Sequence, residues 1–368
     1  MEFKIKNNDF LNSFKKINRI ITKNTVFPIL ENVIIKINAN ILKLTSSTLE
    51  IELHTYIHRK YFIFYTSGCI TVSGKKIFSI CRNIKRNEEL HFHLINEKMH
   101  IKIFNSLFKL NTLPQKKFPK FKKIQKIKKF FISQKILKTI ISSIYFSIAH
   151  NDVRNPLNGM LIEYKKSYLR TVTTDGHRLS IYTIMLNAEI SSFSIIVNKQ
   201  AILELNRLLT YTDDLISMNI DYHYVSFQFD TSLLITKLLN GNFPNYHDVI
   251  LKKYTHSILL HTEQLKESLL KTSILCNTTF KGVFLNFSEN LLKITSNNQD
   301  DEESCDSFYI KYQQKNISFS INVFYLLDVL NALNTPTINI IFDTPISSIQ
   351  IQSNAQKETK YIIMPLKL

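Results

Sequence analysis

One sequence pattern recurs three times along the chain, at an interval of about 125 residues. Each copy has a short turn, an apolar strand, a few polar residues and a second strand that ends in Thr, Ser or Asn. The copies span Phe27–Thr48, Asn155–Asp175 and Phe280–Asn298. Because each copy brings the same predicted strand pair, the pattern indicates three structurally similar units. It constrains the fold more than any single motif does.

Two predicted helices accompany each strand pair. One kind has apolar residues spaced by three or four positions and is predicted over Asp9–Ile21, Ser133–Ile148 and Thr262–Cys276. The other kind starts at Ser73, Asn198 and Asn322. Ser and Asn side chains accept hydrogen bonds at helix N-termini, so we expect these three residues to be the N-caps.

A third marker has the same spacing. Phe118-Pro119 recurs as Phe243-Pro244, and Met364-Pro365 lies about one further repeat along. Markers that share one interval predict an α+β fold of three repeated domains, each with two helices and antiparallel sheets. We place these domains at residues 1–125, 131–253 and 254–368.

The composition favours a polyanionic partner. The formal net charge is +18, and each phosphate contact made by Lys or Arg releases counterions. The chain is also rich in Ile, Lys and Asn, as AT-rich coding produces, so mutational bias explains the lysine excess equally well. Eight lysines lie within residues 115–129, a run that fits either a solvated linker or a nucleic-acid contact.

Several function classes find little support in the sequence. The chain has six glycines and no Gly-rich nucleotide-binding motif, and no run of about 18 apolar residues or signal peptide is visible. Asp175 and His177 resemble a proton-transfer pair, but no nucleophile is signalled nearby. His91 and His93 share a strand face without completing a metal site. We expect a cytoplasmic, non-enzymatic protein with no cofactor, no metal and four cysteines as thiols.

The segments NTVFPILEN, AHNDVRNPLNGM, TTDGHRLS, NGNFPNYHDVI, SINVFYLLDVLNAL and YIIMPLKL closely resemble the bacterial DNA polymerase III beta subunit family, the sliding clamps. The resemblance runs from Met1 to Leu368. It implies a closed head-to-tail homodimeric ring that encircles duplex DNA without base readout. Such a processivity factor tethers the replicative polymerase. Its implied partners are double-stranded DNA, a second copy, the clamp loader, the DNA polymerase III catalytic subunit and other proteins with a clamp-binding peptide.

The resemblance implies that cations on the helices face DNA. The matching positions are Lys15, Arg19, Lys23, Arg82, Lys85, Lys135, Lys138, Asn151, Lys199, Arg207, Lys266 and Lys271. Where the family often has an arginine, this chain has Asn24, and we expect the neighbouring Lys23 to substitute. Taken singly, each of these residues is equally well explained as an ordinary surface residue.

The resemblance also implies a groove for partner peptides that carry Gln and Leu or Phe anchors. The matching positions are Arg154, Leu157, Thr174, Gly176, His177, Arg178, Leu179, Pro244, Val249, Asn322, Tyr325, Ser348, Ile362, Met364, Pro365 and Leu366. An apolar pocket with an adaptable Met fits such anchors. We expect His177 and Arg178 to orient polar groups. Where close relatives carry paired basic residues, this chain has His247 and Asp248, so we expect altered rim charge and peptide affinity.

The dimer interface implied by the family pairs Ile274 and Leu275 of one copy with Phe108 and Leu110 of the other, with Lys76 nearby. The alternative is that the four apolar residues belong to the core of their own domains. Two other functions also remain open at this point. They are a basic DNA-binding protein that does not encircle DNA, and a peptide-docking scaffold.

Overall fold

The computed structural model describes residues 1–21, 26–115, 118, 119, 121, 125, 127–187, 190–251, 254–277 and 279–366. Within these residues the α-helices are α1 Asn7–Asn18, α2 Gly74–Arg82, α3 Gln134–Ile144, α4 Lys199–Leu208, α5 Thr262–Thr272 and α6 Val323–Ala332. The strands are β1 Glu2–Lys6, β2 Asn32–Ile37, β3 Ile41–Ser47, β4 Ile51–His58, β5 Phe62–Thr66, β6 Gly68–Ser73, β7 Glu89–Ile95, β8 Lys98–Ile103, β9 Ser106–Leu113, β10 Lys128–Ser133, β11 Gly159–Lys165, β12 Tyr168–Thr174, β13 Arg178–Met185, β14 Phe193–Asn198, β15 Leu215–Ile220, β16 Tyr224–Phe229, β17 Ser232–Lys237, β18 His256–His261, β19 Gly282–Ser288, β20 Leu291–Asn297, β21 Glu303–Tyr309, β22 Ile317–Asn322, β23 Thr337–Phe342, β24 Ile349–Ser353 and β25 Gln356–Ile363.

The chain forms two compact units. Unit 1 contains residues 1–137 and 203–238, and unit 2 contains residues 138–202 and 239–368. Helices α3 and α4 contribute residues to both units. Among the described residues no helix is long and apolar enough to cross a membrane, and no cluster of three His, Cys, Asp or Glu residues is arranged to hold a metal ion.

Unit 1 is built on a 13-stranded antiparallel sheet in the order β10-β15-β16-β17-β4-β3-β2-β6-β9-β8-β7-β1-β5. Strands of the first and second sequence repeats meet in this sheet where β17 pairs with β4, with Leu234 opposite Leu53. Helix α1 covers β3 and β4 with the buried side chains of Phe10, Phe14 and Ile17. The alternating apolar residues of both strands form the core beneath it.

Unit 2 contains an eight-stranded sheet in the order β14-β11-β12-β13-β25-β24-β23-β18 and a four-stranded sheet in the order β21-β20-β19-β22. Strands of the second and third repeats meet where β13 pairs with β25, with Leu179 opposite Ile362. Helices α5 and α6 contribute Leu265, Leu269 and Leu326 to the core between the two sheets. The predicted α+β class is therefore confirmed.

The six predicted helices are all present, with different ends. Helix α1 begins two residues earlier than predicted because β1 runs directly into it at Asn7, whose side-chain amide donates to the carbonyl of Cys81. The predicted helices over Ser133–Ile148 and Thr262–Cys276 each finish in a short 3-10 turn, at Tyr145–Ser147 and Ser273–Leu275. Apolar spacing continues through such a turn, so periodicity alone overestimates helix length.

Two of the three predicted N-caps make a side-chain capping bond in the structure. The Asn198 Oδ1 accepts a hydrogen bond from the Ala201 N–H at 2.8 Å, and the Asn322 Oδ1 accepts one from the Phe324 N–H at 3.0 Å. Ser73 occupies the N-cap position of α2, as expected, but its side chain makes no capping hydrogen bond.

A buried polar chain crosses β3 and β4 in unit 1. The His54 Nε2 lies 2.8 Å from the Glu52 carboxylate, and its Nδ1 lies 2.9 Å from the Thr45 hydroxyl. Burial lowers the pKa of His54, although the hydrogen bond with Glu52 opposes this shift. Burial disfavours ionised Glu52, but the hydrogen bond and charge interaction with His54 outweigh it and its pKa is lowered. His54 is therefore neutral in the folded protein near pH 7, donating to Glu52 and accepting from Thr45.

Unfolding experiments should detect this histidine. Unfolded His54 binds a proton below about pH 6.5, while the folded chain resists protonation, so stability falls as the pH drops through this value. We expect the free energy of urea unfolding to fall between pH 7.5 and 5.5, by on the order of 1 kcal/mol from this residue. His54→Gln should flatten that dependence, and His58→Gln, at an exposed residue of the same strand, should not. Equal pH dependence in all three proteins would contradict the assignment.

Candidate functional site

A cavity of about 220 Å³ opens in unit 2 beside the β12–β13 turn. It is lined by Arg154, Leu157, Thr174, Gly176, Arg178, Leu179, Pro244, Asn245, Tyr246, Val249, Ile362 and Met364. Ten of these twelve residues are in the predicted groove set. Sequence reasoning missed Asn245 and Tyr246, although both stand in the Phe-Pro segment that marked the repeat.

The floor of the cavity is apolar because two distant segments pair there. Leu179 of β13 lies opposite Ile362 of β25, and both side chains are buried together with Leu157. Beyond the end of β25, the Met364 N–H donates to the His177 carbonyl at 2.9 Å, which ties the C-terminal segment to the β12–β13 turn. The result is a small apolar pocket with the partly exposed Met364 at its edge, suited to an apolar side chain.

The β12–β13 turn requires glycine at position 176. Gly176 has φ +91°, a conformation that L residues with a Cβ rarely adopt. A Cβ there would also lie 2.9 Å from an Arg154 guanidinium nitrogen. The turn is closed by the Asp175 Oδ1, which accepts hydrogen bonds from the His177 and Arg178 N–H groups at 3.0 Å each.

Arg178 uses three of its five guanidinium N–H groups within the protein. It donates to Asp175 at 3.0 Å, to Asp328 at 2.6 Å and to the Phe146 carbonyl at 2.6 Å. It also lies 4.3 Å from the centre of the Tyr325 ring. The expectation that Arg178 orients polar groups of a ligand stays a prediction. Arg178 lines the cavity and also links the β12–β13 turn to α6 through its bonds to Asp175 and Asp328.

Arg154 is the exposed cation at the mouth of the cavity. Its guanidinium forms an ion pair with Asp152 at 2.9 Å. Side-chain and backbone hydrogen bonds from Arg154 lower the pKa of Asp152 to about 2. The pair remains charged at physiological pH, which keeps the Arg154 side chain against the turn.

The other predicted groove residues do not line this cavity. They are His177, Asn322, Tyr325, Ser348, Pro365 and Leu366. The His177 side chain is exposed, Asn322 is committed to capping α6, and Ser348 is buried. Leu366 continues along the third repeat, where its N–H donates to the Ser320 carbonyl at 2.8 Å.

The predicted DNA-facing residues lie on or beside five of the six helices, and α6 carries no Lys or Arg. The exposed ones are Lys15, Arg19, Arg82, Lys85, Lys135, Asn151, Arg207 and Lys271, and the half-buried ones are Lys138, Lys199 and Lys266. Lys23 lies outside the described residues. Lys199 fits the expectation poorly because its ammonium donates to the Ile148 and Ala149 carbonyls at 3.0 and 3.2 Å. Burial also lowers its pKa.

The predicted interface residues are surface features. Ile274 is 79% exposed in the turn after α5, and Leu275 is partly exposed, so the alternative of a core role fails for Ile274. Phe108 and Leu110 alternate along β9, partly exposed, and Lys76 is exposed on α2. Phe108 also lines a cavity of about 530 Å³ in unit 1.

Comparison with known protein families shows which family the chain belongs to. Models of the N-terminal, central and C-terminal domains of the DNA polymerase III beta subunit match residues 1–122, 131–245 and 247–367. Nearly the whole chain is covered in this order. The chain therefore belongs to the DNA polymerase III beta subunit family.

Individual relatives agree with this assignment. The beta sliding clamp of Buchnera aphidicola subsp. Rhopalosiphum padi is 40% identical, and that of Escherichia coli strain K12 is 32% identical, with 100% of each chain covered. The crystal structure of the DNA polymerase III subunit beta from Pseudomonas aeruginosa matches with a TM-score of 0.93 at 30% identity, covering 100% of both chains. The interpretation as a sliding clamp and non-catalytic processivity subunit is confirmed by these matches.

Replacing Gly176 tests the geometry of the turn. Gly176→Ala should lower the free energy of unfolding by about 1–3 kcal/mol, because φ is unfavourable and the new methyl group meets Arg154. In an Arg154→Ala background the cost should be smaller, since only the φ penalty remains. Urea unfolding of the wild type, the two single variants and the double variant separates the φ penalty from the contact with Arg154. An equal cost in both backgrounds would show that Arg154 moves aside freely.

Proposed function

We propose that two copies of this chain close head-to-tail into a ring around duplex DNA. The observation that carries the proposal is that β9 and β21 are among the sheet edges left without a partner strand in the described residues. In unit 1, β9 pairs with β8 along its length but with β6 only at Leu113 and Thr112, which leaves 106–111 as a free edge. In unit 2, β21 is the outer strand of the four-stranded sheet. Different edges that meet between copies make a heterologous contact, which closes a ring when the rotation permits.

Charge and apolar surface support the same contact. Residues 300–303, at the end of the β20–β21 connection and the start of β21, are Asp, Asp, Glu and Glu, whereas Lys109 is exposed on β9 and Lys76 is exposed on α2. Opposite charges steer two surfaces into register. The exposed Ile274 and the cavity beside Phe108 supply the apolar part of the interface.

We further propose three clamp domains at residues 1–125, 131–253 and 254–368, in line with the threefold repeat. Exposed cations on α1 to α5 would attract phosphates through water without reading bases, which permits sliding. The cavity beside Gly176 would take the apolar anchors of partner peptides from the clamp loader, the DNA polymerase III catalytic subunit and other clamp-binding proteins. A clamp of this family from Pseudomonas aeruginosa, 30% identical, has been solved bound to griselimycin.

A topological test addresses the ring directly. The protein is loaded onto nicked circular DNA by a clamp loader with ATP, and the circle is then cut. We expect the protein to leave once the DNA is linear, because a ring slides off free ends. Gel filtration before and after cutting measures the retained fraction. Retention until the salt concentration is raised would indicate a basic protein that binds DNA without encircling it.

The interface assignment has a separate test. Ile274→Ala with Leu275→Ala should weaken the dimer by about 100-fold or more and give a folded monomer at micromolar concentration, since buried apolar anchors dominate interfaces. Sedimentation velocity measures the oligomeric state. Leu215→Ala with Tyr222→Ala, which removes exposed apolar surface elsewhere, is the control and should leave the dimer intact. A dimeric Ile274/Leu275 variant would place the interface elsewhere.

A further inference from the structure

A second and larger cavity lies next to the groove cavity in unit 2. Its volume is about 650 Å³, and its lining includes Glu163, Lys165, Lys166, Arg170 and His247. Tyr246 lines both cavities, so one side chain forms the wall between them. None of the residues of this second cavity other than His247 was singled out by the sequence.

The floor of the second cavity is a polar row across four strands. Glu163 of β11 stands opposite Arg170 of β12, and the row continues to Ser194 of β14 and Thr183 of β13. The next row on the same face is apolar, with Leu161 opposite Val172, and it is covered by the segment that contains Phe243, Tyr246 and Val249. The sheet face therefore changes from a covered apolar half to an open polar half at Tyr246.

Tyr246 is a fixed wall. It is 6% exposed, its ring belongs to the apolar cluster, and its hydroxyl donates to the Glu163 carboxylate at 2.7 Å. Arg170 donates to the same hydroxyl at 3.5 Å and to Thr183 at 3.2 Å. The His247 ring lies against Tyr246 in a tilted arrangement, with ring centres 4.3 Å apart. A ligand on one side of this ring is thus within a side chain's width of a ligand on the other.

The charge of the cavity is positive. Lys165, Lys166 and Arg170 contribute three cations, and the one carboxylate in its lining, Glu163, is already engaged by Tyr246 and lies 3.5 Å from the Ser194 hydroxyl. Neither lysine forms an ion pair with a described residue. Lys166 and Ser167 have φ of +51° and +64°, the backbone of a tight hairpin turn that holds both lysines at the rim.

We propose that this cavity binds acidic residues that flank the anchor motif of a groove-bound peptide. The inference rests on the proposed function of the groove. The peptide backbone would pass over Tyr246, with apolar anchors on one side and Asp or Glu side chains facing Lys165, Lys166 and Arg170 on the other. Asp248 lies outside this lining and accepts a hydrogen bond from the Asn245 amide at 2.6 Å, so it does not neutralise the three cations.

A peptide fits these observations better than a nucleic acid does. The cavity shares its Tyr246 wall with an apolar pocket, and a peptide that crosses this wall can place apolar anchors in one and carboxylates in the other. Each exposed ion pair contributes modestly, so the site tunes affinity among partners rather than creating it.

Fluorescence anisotropy with synthetic peptides tests the proposal. The peptides share one core with Gln, Leu and Phe anchors. At each end of this core they carry two Glu, two Ser or two Lys residues. We expect the Glu-flanked peptide to bind wild-type protein about 3- to 10-fold more tightly than the Ser-flanked peptide at low salt, and this preference to shrink at high salt. Lys165→Glu with Lys166→Glu should abolish the preference. Lys311→Glu with Lys315→Glu, an equal charge change at exposed lysines elsewhere in unit 2, should retain it.

The Ser-flanked peptide separates the two proposals. Its binding to wild type, and its loss in Met364→Ala, would support the groove itself, and no binding would overturn the groove. Equal affinity for Glu- and Ser-flanked peptides, or an equal effect of both lysine pairs, would overturn the acidic site while the groove stands. A further possible result is that single-stranded DNA binds at Lys165 and Lys166 whereas the Glu-flanked peptide does not. That result would assign the cavity to nucleic acid and overturn the proposal.

Discussion

The antiparallel pairing of β13 with β25 holds the candidate site together. It places Leu179 beside Ile362 and continues through the backbone bond from Met364 to His177. Every apolar contribution of the C-terminal segment to the groove depends on this register, because a slip of one residue would turn the side chains to the other face. The final residues of the chain thereby become part of a pocket whose other walls lie near residues 154–179 and 244–249.

Charged residues in unit 2 divide into structural and available ones. Arg178 donates hydrogen bonds to Asp175, Asp328 and the Phe146 carbonyl, and these bonds hold the β12–β13 turn against α6. A largely buried guanidinium needs such partners because desolvation without them is costly. Lys165 and Lys166 remain at the surface beside the groove, where they can select among partners. The cationic side chains of Arg178, Lys165 and Lys166 therefore have different roles, which follow from their different degrees of burial.

The sequence predicted much of the site because its segments were recognisable and close to a repeat. Leu157, Gly176 and Leu179 were all expected in the groove, and they line the cavity. Tyr246 was missed because nothing in its local pattern shows that a sheet face changes character beneath it. The DNA-facing role of Lys199 stays a prediction, and the local sequence did not show that its ammonium donates to the Ile148 and Ala149 carbonyls after α3.

The sequence by itself determined the repeat, the α+β class, the existence of the six helices and two of their caps. These follow from periodicity and short-range hydrogen bonding, which act over a few residues and are visible in one segment. Tertiary structure decided which strands share a sheet, which edges of β9 and β21 stay unpaired, and which carboxylate engages Arg178. Those outcomes depend on contacts between residues far apart in the chain, such as the 150-residue separation of Arg178 and Asp328, and no local pattern encodes them.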